Sequence, residues 1–170
     1  MNKLPIYNVV LQNAEGIKKM SLVEYPAVED NFLKFNEEQQ LQFSINEDQR
    51  IVFGVALRAN YPIYRCSPNL GEYYVVFSKE TIIDLYEKFM IDQNFNKVNL
   101  NHNNDTEGVY LLQSFIKNTS SGINPIEFEH IEDGSWFCAY KIENEQVWKD
   151  VKSGKFNGFS VEGYFGLEEE

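Results

Sequence analysis

The sequence RIVFGVALRA, residues 50–59, indicates the fold more strongly than any other segment of the chain. Every residue between Arg50 and Arg58 is apolar. A short apolar run without alternation is typical of a strand buried on both faces, so we predict a central strand here. Gly54 inside the run predicts a bulge or a tight bend, which β-barrels use at their corners.

Further segments with strand character lie on both sides of this run. They are rich in β-branched and aromatic residues, and some alternate apolar with polar residues as half-buried strands do. These segments are residues 5–12, 20–28, 41–45, 73–77, 109–116, 135–142 and 156–165. We therefore expect about seven to nine short strands, a number typical of a barrel or a curled sheet.

Two segments have the helical period instead. Ser78 can cap a helix that runs to about Asp92, and Asn144 can cap a shorter helix that Gly154 would end. Their apolar faces would consist of Ile82, Leu85, Tyr86 and Phe89 in the first helix, and of Val147, Trp148 and Val151 in the second. We predict one domain, residues 1–170, that is mainly β with flanking helices (α+β), built on a closed or nearly closed antiparallel β-barrel.

Composition excludes several classes of protein. The chain is 43% hydrophobic and 15% aromatic, which is enough for a core, and its net charge of −11 disfavours nucleic acid as a partner. Cys66 and Cys138 are too few for a disulfide framework or a zinc cluster. Residues 1–5 lack the apolar core of a signal peptide, and no apolar run reaches the length of a membrane span. We expect a cytosolic protein without cofactor or metal and without membrane or nucleic-acid partners.

The two histidines are the candidate general bases. His102 follows a short alternating run in VNLNHN, residues 98–103, and a histidine where a strand opens into a polar loop can reach both core and solvent. On residue type alone, a surface histidine with local hydrogen bonds is the commoner case. His130 lies among three glutamates in EFEHIE, residues 127–132, where a solvated edge is the stronger interpretation.

Ser160 is the candidate nucleophile. It lies in GFSVEG, residues 158–163, inside an apolar strand with a glycine on either side, and small neighbours let a substrate backbone approach a hydroxyl closely. The ordinary alternative is a serine that fills a tight position in the strand. Cys138 alternates with aromatic residues and is a buried small side chain more often than a thiol nucleophile paired with His102.

Seven segments, in order along the chain, resemble those of a known family. They are SLVEYPAVE (21–29), RIVFGVALRANYPIYR (50–65), YYVVFSKETI (73–82), VNLNHN (98–103), GVYLLQSFIKN (108–118), DGSWFCAYKIEN (133–144) and FNGFSVEGYF (156–165). Together they resemble the XkdF-like phage serine proteases, within the prohead proteases related to herpesvirus assemblin. Each segment alone is a weak signal, whereas their ordered combination is specific.

The resemblance implies a fold and an activity. Proteases of this class cleave scaffold and capsid proteins, and often themselves, inside the procapsid as it assembles in the host cytoplasm, and their fold is a β-barrel wrapped by helices. His102 matches the histidine of the Asn-His motif, and Ser160 matches the serine of the Gly-Phe-Ser motif. Scaffold and major capsid proteins would be the substrates, and a homo-oligomer is compatible with the class.

The third catalytic residue is left open by the resemblance. Assemblin-type enzymes have a second histidine after the serine, and no histidine follows Ser160 here. Glu162 is the first choice because residues two apart on a strand point to the same face. Asp105 and Glu107, in the loop after His102, are the alternatives, as is a dyad held by water or by a backbone carbonyl.

The alternative function is that of a structural or assembly protein of the virion, which could keep this fold without activity. The separation of His102 from Ser160 would distinguish it from a protease.

The last residues of the sequence, GLEEE at 166–170, could be a trimmed end, but an acidic, solvated terminus is the commoner case.

Overall fold

The computed structural model describes residues 4–11, 16–24 and 44–170. These residues form twelve strands and two α-helices, together with short 3-10 turns. In chain order the elements are β1 (Ile6–Val10), β2 (Gly16–Val23), β3 (Ser44–Asn46), β4 (Ile51–Leu57), β5 (Ile63–Ser67), β6 (Gly71–Val76), α1 (Lys79–Ile91), β7 (Val98–Leu100), β8 (Asn104–Thr106), β9 (Val109–Ile116), β10 (Trp136–Ile142), α2 (Glu145–Lys152), β11 (Gly158–Tyr164) and β12 (Gly166–Glu169). Parts of the predicted strands, at residues 12, 25–28 and 41–43, lie outside the described residues.

The strands form three sheets of four strands each. The orders are β12-β1-β6-β5, β3-β4-β10-β9 and β11-β2-β7-β8. Among the described residues no sheet closes on itself, and the pairs β1–β6 and β2–β7 are parallel. The predicted closed or nearly closed antiparallel barrel is therefore wrong. Periodicity indicates many of the strand segments, but it does not specify the partner or the direction of each strand.

The segment at residues 50–59 contains a central strand, as predicted. Strand β4 lies between β3 and β10 in its sheet. Gly54 pairs directly with Cys138, so the predicted irregularity does not fall on the glycine. The register of β4 with β10 shifts beyond this pair, where Phe137 pairs with Val55 and Trp136 with Leu57. The bulge therefore falls on Ala56.

Both predicted helices are present and begin at the predicted caps. The hydroxyl of Ser78 accepts a hydrogen bond from the Thr81 N–H at 3.0 Å, and the Asn144 side chain accepts from two N–H groups in the first turn of α2. Each cap supplies an acceptor to a backbone donor that has no partner within the helix. The predicted faces are buried, with Ile82, Leu85 and Phe89 in α1 and Val147, Trp148 and Val151 in α2, while Tyr86 of α1 packs against the core only partly buried. Helix α1 packs on β2 and β10.

The last residues of the chain are mostly exposed, as expected of an acidic, solvated terminus, but they also form a strand. Residues 166–169 form β12, which pairs antiparallel with β1, for example through Leu167 and Val9. The side chains of Glu168 and Glu169 are exposed, which is why the composition resembles that of a free acidic tail. Backbone pairing, to which the side chains contribute little, holds this segment.

The core fixes the orientation of the strands that matter for function. Trp136, Tyr140 and Phe89 are among the largest fully buried side chains, and full burial of a phenylalanine such as Phe89 contributes about 1.5–3 kcal/mol. Phe159 of β11 packs on Tyr140 with ring centroids 5.4 Å apart. No helix among the described residues is long and apolar enough to cross a membrane.

Candidate active site

Three neighbouring strands each carry one polar residue between two apolar ones. In β11, Phe159 and Val161 belong to the main core, so the alternation of the strand directs Ser160 to the opposite face. The same alternation holds for Ser21 of β2 and for Asn99 of β7, whose neighbours in sequence also pack in the core. The strand register pairs Ser160 with Ser21 and Ser21 with Asn99. The three side chains therefore form a row across one face of the sheet.

His102 lies in the turn between β7 and β8, at the edge of this row. Asn101 and His102 have φ angles of 49° and 59°, in the left-handed region that only a few per cent of non-glycine residues adopt. The turn is tied to β2 because the Asn101 N–H donates to the Leu22 carbonyl at 3.0 Å and its side-chain oxygen accepts from the Glu24 N–H at 3.2 Å. These hydrogen bonds to β2 fix the turn and thereby the position of His102.

The imidazole of His102 is positioned between two serine hydroxyls. Its Nε2 lies 3.1 Å from Ser160 Oγ, and its Nδ1 lies 3.0 Å from Ser21 Oγ. Both distances are those of hydrogen bonds, and the first meets the geometric requirement for a nucleophile and its general base. Ser160 is 7% exposed and the His102 side chain 20% exposed, so the pair is mostly shielded but reachable from solvent.

A chain of hydrogen bonds continues from Ser21 to Glu162. The Ser21 hydroxyl donates to Asn99 Oδ1 at 2.5 Å, and Asn99 Nδ2 donates to Glu162 Oε2 at 2.7 Å. The same carboxylate oxygen lies 3.5 Å from His102 Nδ1, as an ion pair once the imidazole is protonated. Glu162 is therefore beside the base, on the face predicted from its spacing to Ser160, but the Ser21 hydroxyl is closer to Nδ1.

A comparison with protein families agrees with this geometry. The model of a family described as "Putative phage serine protease XkdF" matches residues 39–169. The chain belongs to this family. No curated protein and no solved structure matches the chain. The XkdF-family match includes His102, Ser160, Asn99 and Glu162, whereas Ser21 lies before its first residue.

Asp105 and Glu107, the alternatives to Glu162 in this XkdF-family chain, have surroundings different from those of Glu162. Asp105 forms an ion pair with Lys19, and its side chain is 70% exposed. The hydrogen bond from Lys19 to this carboxylate raises the pKa of the lysine. Glu107 is exposed, and its backbone carbonyl accepts from Asn144 Nδ2 at 3.1 Å. Among the described residues, neither carboxylate hydrogen-bonds to His102.

The thiol alternative is disfavoured by burial. Cys138 is fully buried, and its removal from water raises the pKa of the thiol to about 12. A thiol that stays protonated at neutral pH is a poor nucleophile. His130 is exposed, as its charged surroundings predicted. The described residues contain no group of three or more His, Cys, Asp or Glu side chains that could hold a metal ion.

Gly163, one of the glycines that flank Ser160, has a packing role. A Cβ atom at this position would lie 2.3 Å from the backbone oxygen of Gly16, far inside van der Waals contact. The register of β11 with β2 shifts at this point, between Glu162 and Gly163. The glycine therefore permits the close approach of the two strands.

Ser21 and Asn99 are the members of the network that the sequence interpretation missed. Both lie in segments that carry the family resemblance, and both interrupt an apolar alternation, as Ser160 does. That shared pattern of apolar, polar, apolar is a signal that could have identified them. Its meaning depends on the order β11-β2-β7, which brings residues from distant parts of the chain side by side.

Proposed function

We propose that the protein is a serine endopeptidase in which Ser160 is the nucleophile and His102 is the general base. The observation that carries this proposal is the 3.1 Å contact between His102 Nε2 and Ser160 Oγ. Family membership supports the same reaction class independently of the geometry. The contact also favours a protease over an inactive assembly protein, which has no need to keep a base on a buried hydroxyl.

The reaction follows from the protonation states of the pair. As Ser160 Oγ attacks the peptide carbonyl, its proton moves to His102 Nε2 and the carbonyl becomes a tetrahedral oxyanion. Collapse of this intermediate breaks the C–N bond, and the imidazolium returns its proton to the leaving amine. Water then attacks the acyl-enzyme as His102 takes its proton, the ester C–O bond to Ser160 breaks, and the proton returns to Ser160 Oγ as the carboxylic acid leaves. The sequence of steps requires neither metal nor cofactor.

The proposed substrates are the scaffold and major capsid proteins of a phage procapsid, with self-cleavage as a further reaction. The resemblance to prohead proteases supports this assignment, and the proposed location of the reaction is the assembling procapsid in the host cytoplasm. The net charge of −11 is compatible with protein substrates and opposes direct binding to nucleic acid.

Co-expression tests the substrate assignment. The protein is produced with the scaffold and major capsid proteins encoded beside it, as wild type, as Ser160→Ala and as Ser153→Ala. Ser153 is an exposed serine at the end of α2 and serves as the matched control. We expect the capsid proteins to be shortened by wild type and by Ser153→Ala but not by Ser160→Ala. Shortening that persists in Ser160→Ala would contradict the proposal.

A further inference from the structure

We propose that Ser21 is the positioning residue that orients the base, and that Asn99 and Glu162 fix the direction in which its hydroxyl proton points. The inference rests on the proposed function, because it assumes that His102 is the general base for Ser160. It assigns the third position of the catalytic group to a hydroxyl, in place of the carboxylate that spacing alone favoured. Ser21 also lies outside the residues that match the XkdF family.

The direction of the network is set at its carboxylate end. An ionised carboxylate has only acceptors, so the atom of Asn99 that faces Glu162 Oε2 at 2.7 Å must be the amide nitrogen. The carbonyl oxygen of the same amide then faces Ser21 Oγ. An amide oxygen has no proton to give, and therefore the Ser21 hydroxyl must be the donor in that contact.

The same reasoning continues to the imidazole. A serine hydroxyl has one proton, and Ser21 uses it on Asn99, so Ser21 can only accept from His102 Nδ1 at 3.0 Å. Nδ1 must therefore carry the proton of the neutral imidazole. Nε2 is then the unprotonated nitrogen, and it faces Ser160 Oγ at 3.1 Å. The network thus selects the one tautomer that can take the nucleophile's proton.

Burial makes this selection effective. Ser21 is 0% and Asn99 1% exposed, so water does not compete for their hydrogen bonds. Glu162 is farther out, with a side chain that is 40% exposed, and its oxygen lies 3.5 Å from Nδ1. Ser21 therefore sets the tautomer, whereas Glu162 contributes negative charge beside the imidazolium that forms during the reaction.

Nitrogen NMR of the histidine ring tests the tautomer without any substrate. The chain has two histidines, so a His130→Gln background leaves the signals of His102 alone. We expect the neutral ring to be mainly the Nδ1–H tautomer, and Ser21→Ala to shift it toward Nε2–H. A wild-type ring that is mainly Nε2–H would overturn the proposal, and this spectrum decides even if Ser21→Ala does not fold.

Ser135→Ala is the matched control for the loss of a buried hydroxyl. Ser135 is also 0% exposed, and its Oγ accepts from the Ala59 N–H at 2.9 Å, away from the His102 network. We expect this variant to lose stability but to keep the tautomer of the parent. Equal shifts of the tautomer in Ser21→Ala and Ser135→Ala would show a general loosening of the core and would reject the specific role of Ser21.

Labelling of Ser160 with a fluorophosphonate connects the tautomer to reactivity. We expect Ser21→Ala to slow labelling about 10- to 100-fold, the effect typical of a group that orients a base or a ligand, and Ser21→Thr to recover part of that loss. An unchanged rate in a folded Ser21→Ala would overturn the proposal. The two failures give different results. If the proposed function is wrong, wild type is not labelled at all, whereas the NMR spectrum still reports the tautomer of His102.

Discussion

His102 Nε2 and Ser160 Oγ lie 3.1 Å apart although 58 positions separate the two residues along the chain. The contact exists because β11 and the β7–β8 turn belong to the same sheet, with β2 between them. Strand β2 is the structural centre of the site. It supplies Ser21 to the row of polar side chains and accepts, through the Leu22 carbonyl, the hydrogen bond that holds the turn.

Glu162→Gln tests the contribution of charge to the base. The amide oxygen of glutamine can still accept from Asn99, so the network is kept while the charge beside Nδ1 is removed. Two unit charges about 4 Å apart interact by about 1 kcal/mol in bulk water, so we expect turnover to fall about fivefold or somewhat more in this partly exposed site. The measurement is kcat on a cleaved scaffold segment, with folding checked by circular dichroism.

Asp105→Asn and Glu107→Gln are the matched controls for Glu162→Gln. Their carboxylates do not hydrogen-bond to His102 among the described residues, so we expect turnover within about twofold of wild type, since exposed pairs such as Asp105 with Lys19 contribute little. Full activity of Glu162→Gln together with a loss in either control would transfer the electrostatic role to the loop acids.

The two cysteines should differ sharply in reactivity. Cys66 is exposed, whereas burial raises the pKa of Cys138 to about 12. We expect iodoacetamide to modify the folded protein at Cys66 alone, as read by mass spectrometry of the digested protein, without loss of proteolysis. Inactivation that follows modification of Cys138 in a Cys66→Ser background would revive the thiol mechanism.

Gly163→Ala tests the close approach of β11 to β2. The new Cβ would meet the Gly16 carbonyl oxygen at 2.3 Å, and such overpacking typically costs about 1–3 kcal/mol. Gly71→Ala is the control, because its Cβ would meet nothing within 4 Å and only its positive φ of 69° is unfavourable. Urea denaturation should show the larger loss of unfolding free energy in Gly163→Ala; equal losses would contradict the packing role.

The ion pair of Arg58 with Glu132 should make stability depend on pH. The guanidinium donates to both carboxylate oxygens, at 2.6 and 2.8 Å, and this bonding lowers the pKa of Glu132 from its usual value of 4.5. A carboxylate whose pKa is lower in the folded state stabilises that state at pH values above its pKa in the unfolded chain. This contribution disappears as the pH falls through the pKa of the folded state. Because Glu132 is 39% exposed, the contribution should be at most about 1 kcal/mol.

Glu132→Gln measures this contribution directly. The variant should be less stable than wild type at neutral pH, and the difference in unfolding free energy should shrink once the pH is below about 4. Urea titrations at several pH values provide the measurement. A difference that stays constant across this range would show that the ion pair is not responsible.

Local features were predictable from the sequence because short-range physics determines them. The cap at Ser78 and the buried face of α1 depend on residues within a few turns, and both are as predicted. The barrel was wrong because closure depends on which strands pair. Ser21 was missed for the same reason, since its role exists only through neighbours at Asn99 and Ser160 that lie far away in sequence.

Residue type alone favoured ordinary structural roles for His102 and Ser160, and it was the resemblance of their motifs to those of the XkdF-like proteases that made them the candidate pair. Glu162 was placed on the right face by the two-residue period of the strand. The strand period could not reveal that the Ser21 hydroxyl would be the group closest to His102 Nδ1, or that Asn99 would link this hydroxyl to Glu162. Side-chain order within a site depends on packing between strands, which no single segment encodes.

Covalent labelling tests the central claim most directly. Fluorophosphonate is added to wild type, Ser160→Ala, His102→Ala and the control His130→Ala, and intact mass with peptide mapping locates the adduct. We expect one adduct, on Ser160, in wild type and His130→Ala, none in Ser160→Ala, and labelling slowed by about 10²–10⁴-fold without the base in His102→Ala. An unlabelled wild type, or labelling of Ser160 at the same rate without His102, would contradict the assignment of this pair as nucleophile and base.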